Sequence, residues 1–257
     1  MPENDLSLIS EAARDAGALA MRFWKCNPQV WEKPGLGPVS EADLAVNDLL
    51  ADRLRRARPG YGWLSEETPD DAARLNCERL FILDPIDGTR AFIAGEKHFA
   101  ISIAVAELGR VVAGAIYLPA LERLYTAADN GTAQCNGTPI RCANRAELAG
   151  ANLLMSKSFL DQDHWHTPPH DLKRSFRSSI AYRLCLIAEG SFDGMISTRD
   201  AWEWDIAAGS LIAARAGAAV SDRHGVELRF NSPGAKTAGI FTAPLAVHSE
   251  ILTNFKA

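Results

Sequence analysis

The residues best placed to do chemistry are Phe81-Ile82-Leu83-Asp84-Pro85-Ile86-Asp87-Gly88-Thr89. Three apolar residues predict a short buried strand. Pro85 lacks a ladder donor, so pairing is predicted to stop there and leave Asp84 at the strand end. Carboxylates as close as Asp84 and Asp87 repel each other unless a cation lies between them. A hard divalent ion takes oxygen ligands and neutralises both charges. Gly88 and Thr89 are placed to present backbone N–H groups at the start of a helical turn, a seat for phosphate. Metal and phosphate together point to phosphate-ester chemistry. On spacing alone, a solvated Asp-Pro and Asp-Gly turn accounts for the same residues. Phosphatases with a nucleophilic aspartate carry their acids as Asp-x-Asp-Gly-Thr. The wider spacing here excludes that pattern, and strand alternation would point the two acids differently.

The elements that must position these groups come from a chain of 257 residues, 47% of them hydrophobic. That suffices for one large domain or two intimate halves. The formal net charge of -5 offers no footprint for a nucleic-acid polymer, so a phosphorylated substrate must be drawn locally by bound cations. Cys26, Cys77, Cys135, Cys142 and Cys185 are scattered without a Cys-x-x-Cys, which predicts reduced thiols in a cytoplasmic protein. No apolar run reaches membrane-spanning length, and the acidic start Met1-Pro2-Glu3-Asn4-Asp5 is not a signal peptide.

Leu6, Ile9, Ala13, Ala16, Ala20 and Phe23 recur at helical steps, with Asn4 or Asp5 as cap. Residues 31–39, rich in proline and glycine, predict a flexible loop and a candidate lid. Ser40-Glu41-Ala42-Asp43 has capping-box spacing and opens a helix to about Arg58; from this stretch alone, Asp43 reads as a cap. Trp63-Leu64 leads into Ser65-Glu66-Glu67, a paired acid at a strand end or on the surface, and residues 68–78 predict an exposed excursion. Residues 101–106 and 111–117 form a hairpin pattern, followed by a strand over 121–127. Strands are predicted over 151–156, 192–197, 218–221 and 238–242, and helices over 179–189 and from Pro244. The polar stretch 159–174 holds Asp161, Asp163, His164, His166 and His170, but matches no standard zinc spacing and reads as a solvated loop. A helix from Asp205 to Arg215 is apolar nearly all round, which predicts burial, and a buried helix start is a good place to aim a ligand such as Asp205.

Four stretches occur in one order: Val39-Ser40-Glu41-Ala42-Asp43, Ser65-Glu66-Glu67, Asp84 to Thr89, and Trp204-Asp205-Ile206-Ala207-Ala208-Gly209. As an ordered set over nearly the whole chain, they resemble the inositol monophosphatase family of magnesium-dependent, lithium-sensitive phosphatases, which includes the 3'(2'),5'-bisphosphate nucleotidases. The resemblance implies an α+β fold, a layered α-β-α-β-α sandwich of two sheets, commonly as a homodimer. It implies Mg2+, two or three ions per site, with Mn2+ an alternative. Glu66, Asp84 and the carbonyl of Ile86 would hold one ion, and Asp84, Asp87 and Asp205 a second. A third would sit near Glu66. Thr89 and Asp43 would orient the attacking water, with Glu66 as a further catalytic acid and Glu67 in support. Asp87, Gly88, Thr89 and Asp205 would face the phosphate and the rest of the substrate. One compact unit is expected, with most ligands in 1–148, and Asp205 and substrate contacts in 149–257.

The reaction implied is hydrolysis of a small phosphorylated metabolite by metal-activated water, without a covalent enzyme intermediate. Inositol-1-phosphate is the first expected substrate. 3'-Phosphoadenosine 5'-phosphate is the second, followed by histidinol or sugar phosphates. Arg90-Ala91-Phe92 and Glu203 lean toward the nucleotidases. Ser178-Ser179-Ile180-Ala181-Tyr182 departs from the Gly-Ser-Ser-x-Lys run common in them, and Thr198 stands where inositol phosphatases often carry an acid. Lys33 matches a family lysine in a loop that otherwise departs from the pattern. A competing reading of another class is a binding or regulatory protein on the same scaffold.

Overall fold

The computed structural model describes residues 4–33, 35 and 37–256. Six α-helices are present among them: α1 (Asp5–Phe23), α2 (Glu41–Ala57), α3 (Thr89–Ile93), α4 (Ile180–Ala188), α5 (Glu203–Arg215) and α6 (Leu245–Asn254). The seven-stranded sheet runs in sequence order from Gly62–Ser65 through Arg79–Asp87, Ala100–Glu107, Arg110–Leu118 and Arg123–Ala128 to the short strands Gln134–Cys135 and Thr138–Pro139. Its first pair is parallel and the others antiparallel. A five-stranded sheet is ordered Lys173–Ser175, Asn152–Leu154, Gly194–Ser197, Ile240–Ala243, Ala219–Ser221.

Burial separates these elements into five layers. Phe81, Leu83, Ile101, Ile103 and Val105 pack against α1 and α2, while Leu80, Ile82, Ala100, Ala104 and Ala106 pack against α4 and α5. The alternation follows the two-residue period of a strand covered on both faces, which is why the sequence reads as continuous apolar runs there. Leu154, Met195 and Ile240 meet α4 and α5 from the second sheet, and Leu153, Ile196 and Phe241 face α6 on its far side. The result is the α-β-α-β-α sandwich.

Helix starts follow their caps. The side chain of Asn4 accepts from the N–H of Ser7, Ser40 and Asp43 form a complete capping box, and Ser179 accepts from the N–H of Tyr182. The central helix α5 fits between two sheets because its faces are small. A Cβ added at Gly209 would lie 2.5 Å from Leu184 of α4, and one added at Gly114 of the sheet would lie 2.9 Å from the carbonyl oxygen of Ala208.

Several expectations need correction. The strand does not stop at Pro85: pairing resumes at Asp87, opposite Ala100, after one extra residue. Residues 31–39 are not a loop. Val30–Lys33 and Gly37–Ser40 pair as an antiparallel hairpin, with Pro34 and Leu36 outside the described residues. The excursion 68–78 carries a 3-10 turn, Ala72–Asn76, whose Arg74 is 2% exposed. In 159–174, Trp165 is buried against Phe255, and the end of the stretch joins the second sheet.

Gly114→Ala is expected to cost about 1–3 kcal/mol by overpacking, because the added methyl meets a backbone oxygen that only a shift of α5 can move. Denaturant unfolding of the variant against the parent checks this. Equal midpoints would remove the close approach from the account.

Candidate functional site

Parallel pairing of Gly62–Ser65 with Arg79–Asp87 sets Ser65 against Leu83, and the N–H of Glu66 donates to the carbonyl of Leu83 at 3.3 Å. Glu66 therefore leaves the sheet beside Asp84. On the other side, Asp84 faces Ser102, whose hydroxyl donates to the carbonyl of Trp204 at 3.3 Å. That contact brings the first turn of α5, with Asp205, against the same spot. One carboxylate oxygen each from Glu66, Asp84 and Asp205 lies within 4.8 Å of the others.

The bulge decides where Asp87 points. Leu80 and Ile82 face α5, as strict alternation requires of Asp84 as well, yet Ile86 faces α1 and α2 with Phe81 and Leu83. The extra residue inverts the phase. Asp87 thus returns to the α4–α5 side, correcting the expectation that alternation would separate the acids. One of its oxygens, Oδ2, accepts from the hydroxyl of Ser179 and the N–H of Ala181, both at 2.6 Å. Asp87 is held by the start of α4 at the rim of the same cleft, outside the three-oxygen cluster.

Electrostatics fit a cation. Burial and the charges of Glu66, Asp87 and Asp205 push the Asp84 carboxyl well above its ordinary range. Burial, Asp87 and Glu66 do the same to Asp205, against Arg183. Burial pushes Asp87 up to about 6, opposed by its bonds to Ser179 and Ala181. Burial pushes Glu67 up to about 7, opposed by Lys33. Groups that resist ionisation together in one cleft are what a shared divalent cation reverses, and oxygen donors suit a hard ion.

Further residues complete the cleft. Asp43 is 1% exposed; its Oδ2 accepts the N–H and hydroxyl of Ser40, and its Oδ1 lies 3.0 Å from the Thr89 hydroxyl. That hydroxyl is also 3.2 Å from the carbonyl of Ile86, so its single proton serves one acceptor at a time. Asp43 is both the helix cap and the partner of Thr89. Burial raises its carboxyl, against the hydrogen bonds from Ser40 and Thr89. Gly88 caps α3 at φ +97°, a conformation that suits glycine, and leads directly into Thr89. Lys33 of the hairpin donates to Glu66 at 2.9 Å and Glu67 at 2.8 Å. Burial lowers its ammonium and the two glutamates outweigh that, leaving it raised. The cleft, about 350 Å³, is lined by Pro38, Glu66, Asp84, Asp87, Gly88, Thr89, Arg90, Phe176, Trp202, Trp204 and Asp205, among others.

Sequence reasoning missed Ser179 and Arg183 as site residues. Ser179 shows only as a helix start, because its bond to Asp87 crosses 92 positions. Arg183, whose guanidinium burial lowers against the pull of Asp87 and Asp205, gives no local signal. The acid and histidine stretch 159–174 gathers no cluster of metal-binding geometry among the described residues.

A cleft of clustered carboxylates, Asp84 buried and Glu66 and Asp205 half-buried, at the ends of parallel strands and a helix start defines an α+β sandwich protein whose acids could hold a metal ion. A sequence model of the inositol monophosphatase family matches residues 1–255, and the chain belongs to that family. An inositol-1-monophosphatase of Mesorhizobium japonicum is 35% identical over 235 residues, 86% of each chain. The 3'(2'),5'-bisphosphate nucleotidase CysQ of Escherichia coli is 31% identical over 232 residues, 88% of this chain and 93% of its own. The crystal structure of the extragenic suppressor protein SuhB of Bartonella henselae superposes with a TM-score of 0.83 at 27% identity, covering 96% of both chains. No helix among the described residues is long and apolar enough to cross a membrane.

The raised carboxyls predict a pH-dependent response to metal. Folded Asp87 and Glu67 hold protons more tightly than their unfolded forms, which titrate at about 4. The metal-free protein therefore loses stability as pH rises from about 4 to about 7. Metal needs the ionised ligands, so Mn2+ or Mg2+ is expected to raise Tm more at pH 8 than at pH 5. Thermal melts in chelator and in excess metal check it; an equal gain at both pH values would remove the carboxylates from metal binding.

Proposed function

We propose that this protein is a Mg2+-dependent phosphomonoesterase acting on a small phosphate ester, with inositol-1-phosphate as first substrate and Mn2+ able to replace Mg2+. The convergence of Glu66, Asp84 and Asp205 within 4.8 Å carries the reading. These residues would hold the ions together with Asp87 and the carbonyl of Ile86. Bound divalent ions supply the charge that makes water a nucleophile at neutral pH and steadies the phosphate oxygens. Asp43, ionised, accepts the hydrogen bond that the Thr89 hydroxyl donates, which leaves a Thr89 lone pair to orient a water in the cleft. Gly88 and Thr89 offer backbone N–H groups to the phosphate. Water adds to phosphorus and gives up one proton to solvent, the P–O ester bond breaks with its electron pair leaving on the alcohol oxygen, and that oxygen takes a proton back from solvent. No side-chain nucleophile is required. The inositol-1-monophosphatases among the relatives support the choice of substrate.

A second substrate reading, a 3'(2'),5'-bisphosphate nucleotidase acting on 3'-phosphoadenosine 5'-phosphate, is favoured by Arg90. This exposed arginine lines the cleft and has no carboxylate partner among the described residues, which suits a second anionic group.

Phosphate release from inositol-1-phosphate, 3'-phosphoadenosine 5'-phosphate and histidinol phosphate, with and without Mg2+ and Li+, tests both. Mg2+-dependent release inhibited by Li+ is expected. Asp87→Asn and Asp205→Asn are expected to lose most activity with the fold intact, and Thr89→Ala at least about 100-fold. Thr89→Ser should keep more than Thr89→Ala. No release from any ester, or full activity in Asp205→Asn at saturating Mg2+, would sink the proposal.

A further inference from the structure

Glu203 is completely buried, and the proposed chemistry gives it no part. It is the first residue of α5, yet its carboxylate does not cap its own helix. It accepts from the N–H of Asn231 at 2.6 Å, the N–H of Ser232 at 2.9 Å and the hydroxyl of Ser232 at 2.6 Å. Its own N–H donates to the carbonyl of Ala235 at 2.9 Å. Beside it, Ala201–Trp202 pairs with Lys236–Thr237. The start of α5 is thus fastened to residues 231–237 along their length.

That segment is gripped from its other side by Arg74. The guanidinium donates to Asn231 Oδ1 at 2.7 Å and to the carbonyl of Ser232 at 3.0 Å, and the side-chain amide of Asn231 donates back to the carbonyl of Arg74 at 3.1 Å. Asp70 holds the guanidinium with two bonds, at 2.6 and 2.9 Å. Arg74 and Asp70 lie on the crossover that leaves the sheet at Glu66 and Glu67. The network therefore joins the segment that supplies Glu66 to the helix that supplies Asp205, by a route that does not pass through the cleft.

Helix geometry says what the fastening sets. Successive residues turn by about 100°, so two residues along a helix point to nearly opposite sides. With Glu203 anchored in 231–235, Asp205 is swung into the cleft. Rotating α5 would break the bonds to Asn231 and Ser232 and leave a carboxylate buried without donors, which is strongly unfavourable.

We infer that Glu203, locked through Asn231 and Ser232 to Arg74, is a positioning residue that holds Asp205 at coordinating distance from Glu66 and Asp84. The inference rests on the metal reading of the site. Glu203→Gln keeps the shape but sets an amide N–H2 against backbone N–H donors. Mn2+ binding to the purified full chain, by calorimetry, is the readout, alongside steady-state kinetics at varied Mg2+. Glu203→Gln is expected to weaken Mn2+ binding about 10- to 100-fold and raise the Mg2+ requirement equally, with KM for the ester at saturating Mg2+ little changed. In an Asp205→Asn background, the same substitution should weaken Mn2+ binding no further, since it acts through Asp205. If Glu203→Gln does not fold, Ser232→Ala carries the test, with a smaller loss in the same direction. Unchanged Mn2+ affinity in a folded variant despite a lowered Tm, or full additivity with Asp205→Asn, overturns the positioning role. Unchanged Mn2+ binding in Asp205→Asn alone would instead overturn the metal reading.

Discussion

The dominant constraint on this molecule is the mutual repulsion of acids held together in a buried cleft. Asp84, Asp87 and Asp205 each sit where burial disfavours their charge; Glu66, Asp87 and Asp205 push Asp84 further, Asp87 and Glu66 push Asp205, and Glu66 pushes Asp87. A scaffold that merely tolerated this would relax, parting the strands or swinging α5 away. The protein instead distributes restraints that do not use the carboxylates' free oxygens. Backbone pairing fixes Glu66 next to Asp84, Ser102 fixes the start of α5, and the first turn of α4 fixes one side of Asp87.

The layered architecture makes those restraints stiff. The helix α5 lies between two sheets and against α4; Gly209 leaves room for Leu184 of α4, and the backbone of Ala208 lies close against Gly114 of the first sheet. Close-packed interiors transmit small displacements instead of absorbing them. Loop-borne ligands would not inherit this stiffness. Here Asp84 and Asp87 lie on a strand, Asp205 on a helix, and Glu66 one residue beyond a strand.

Local signals carried much of this to the reader of the sequence. Helix starts were legible at Asn4, Ser40 and Ser179 because caps act over three residues. The hairpin through residues 100–118 was legible because two apolar runs flank a local turn. Asp84, Asp87, Asp43, Glu66 and Asp205 were nominated as an ordered set of motifs, and the structure brings Glu66, Asp84 and Asp205 into one cluster. What stayed hidden depends on distant partners. Arg74 sits in a polar stretch and looks exposed, until Asn231, 157 positions away, closes over it. Residues 31–39 look like a loop because proline and glycine suppress strand propensity, yet the hairpin forms. The bulge after Asp84 has no sequence signature beyond Pro85, and it alone decides that both acids share a face.

That single inserted residue has a consequence for folding fidelity. Slipping the pairing of Arg79–Asp87 by one position would turn Phe81 and Leu83 toward α5 and thrust a carboxylate into the oily layer beneath α1 and α2. A charge stranded there, far from any counter-ion, would make the slipped ladder much costlier than the native one. The acids thus act as a proofreading device for strand alignment, penalising the wrong phase before any ligand is bound.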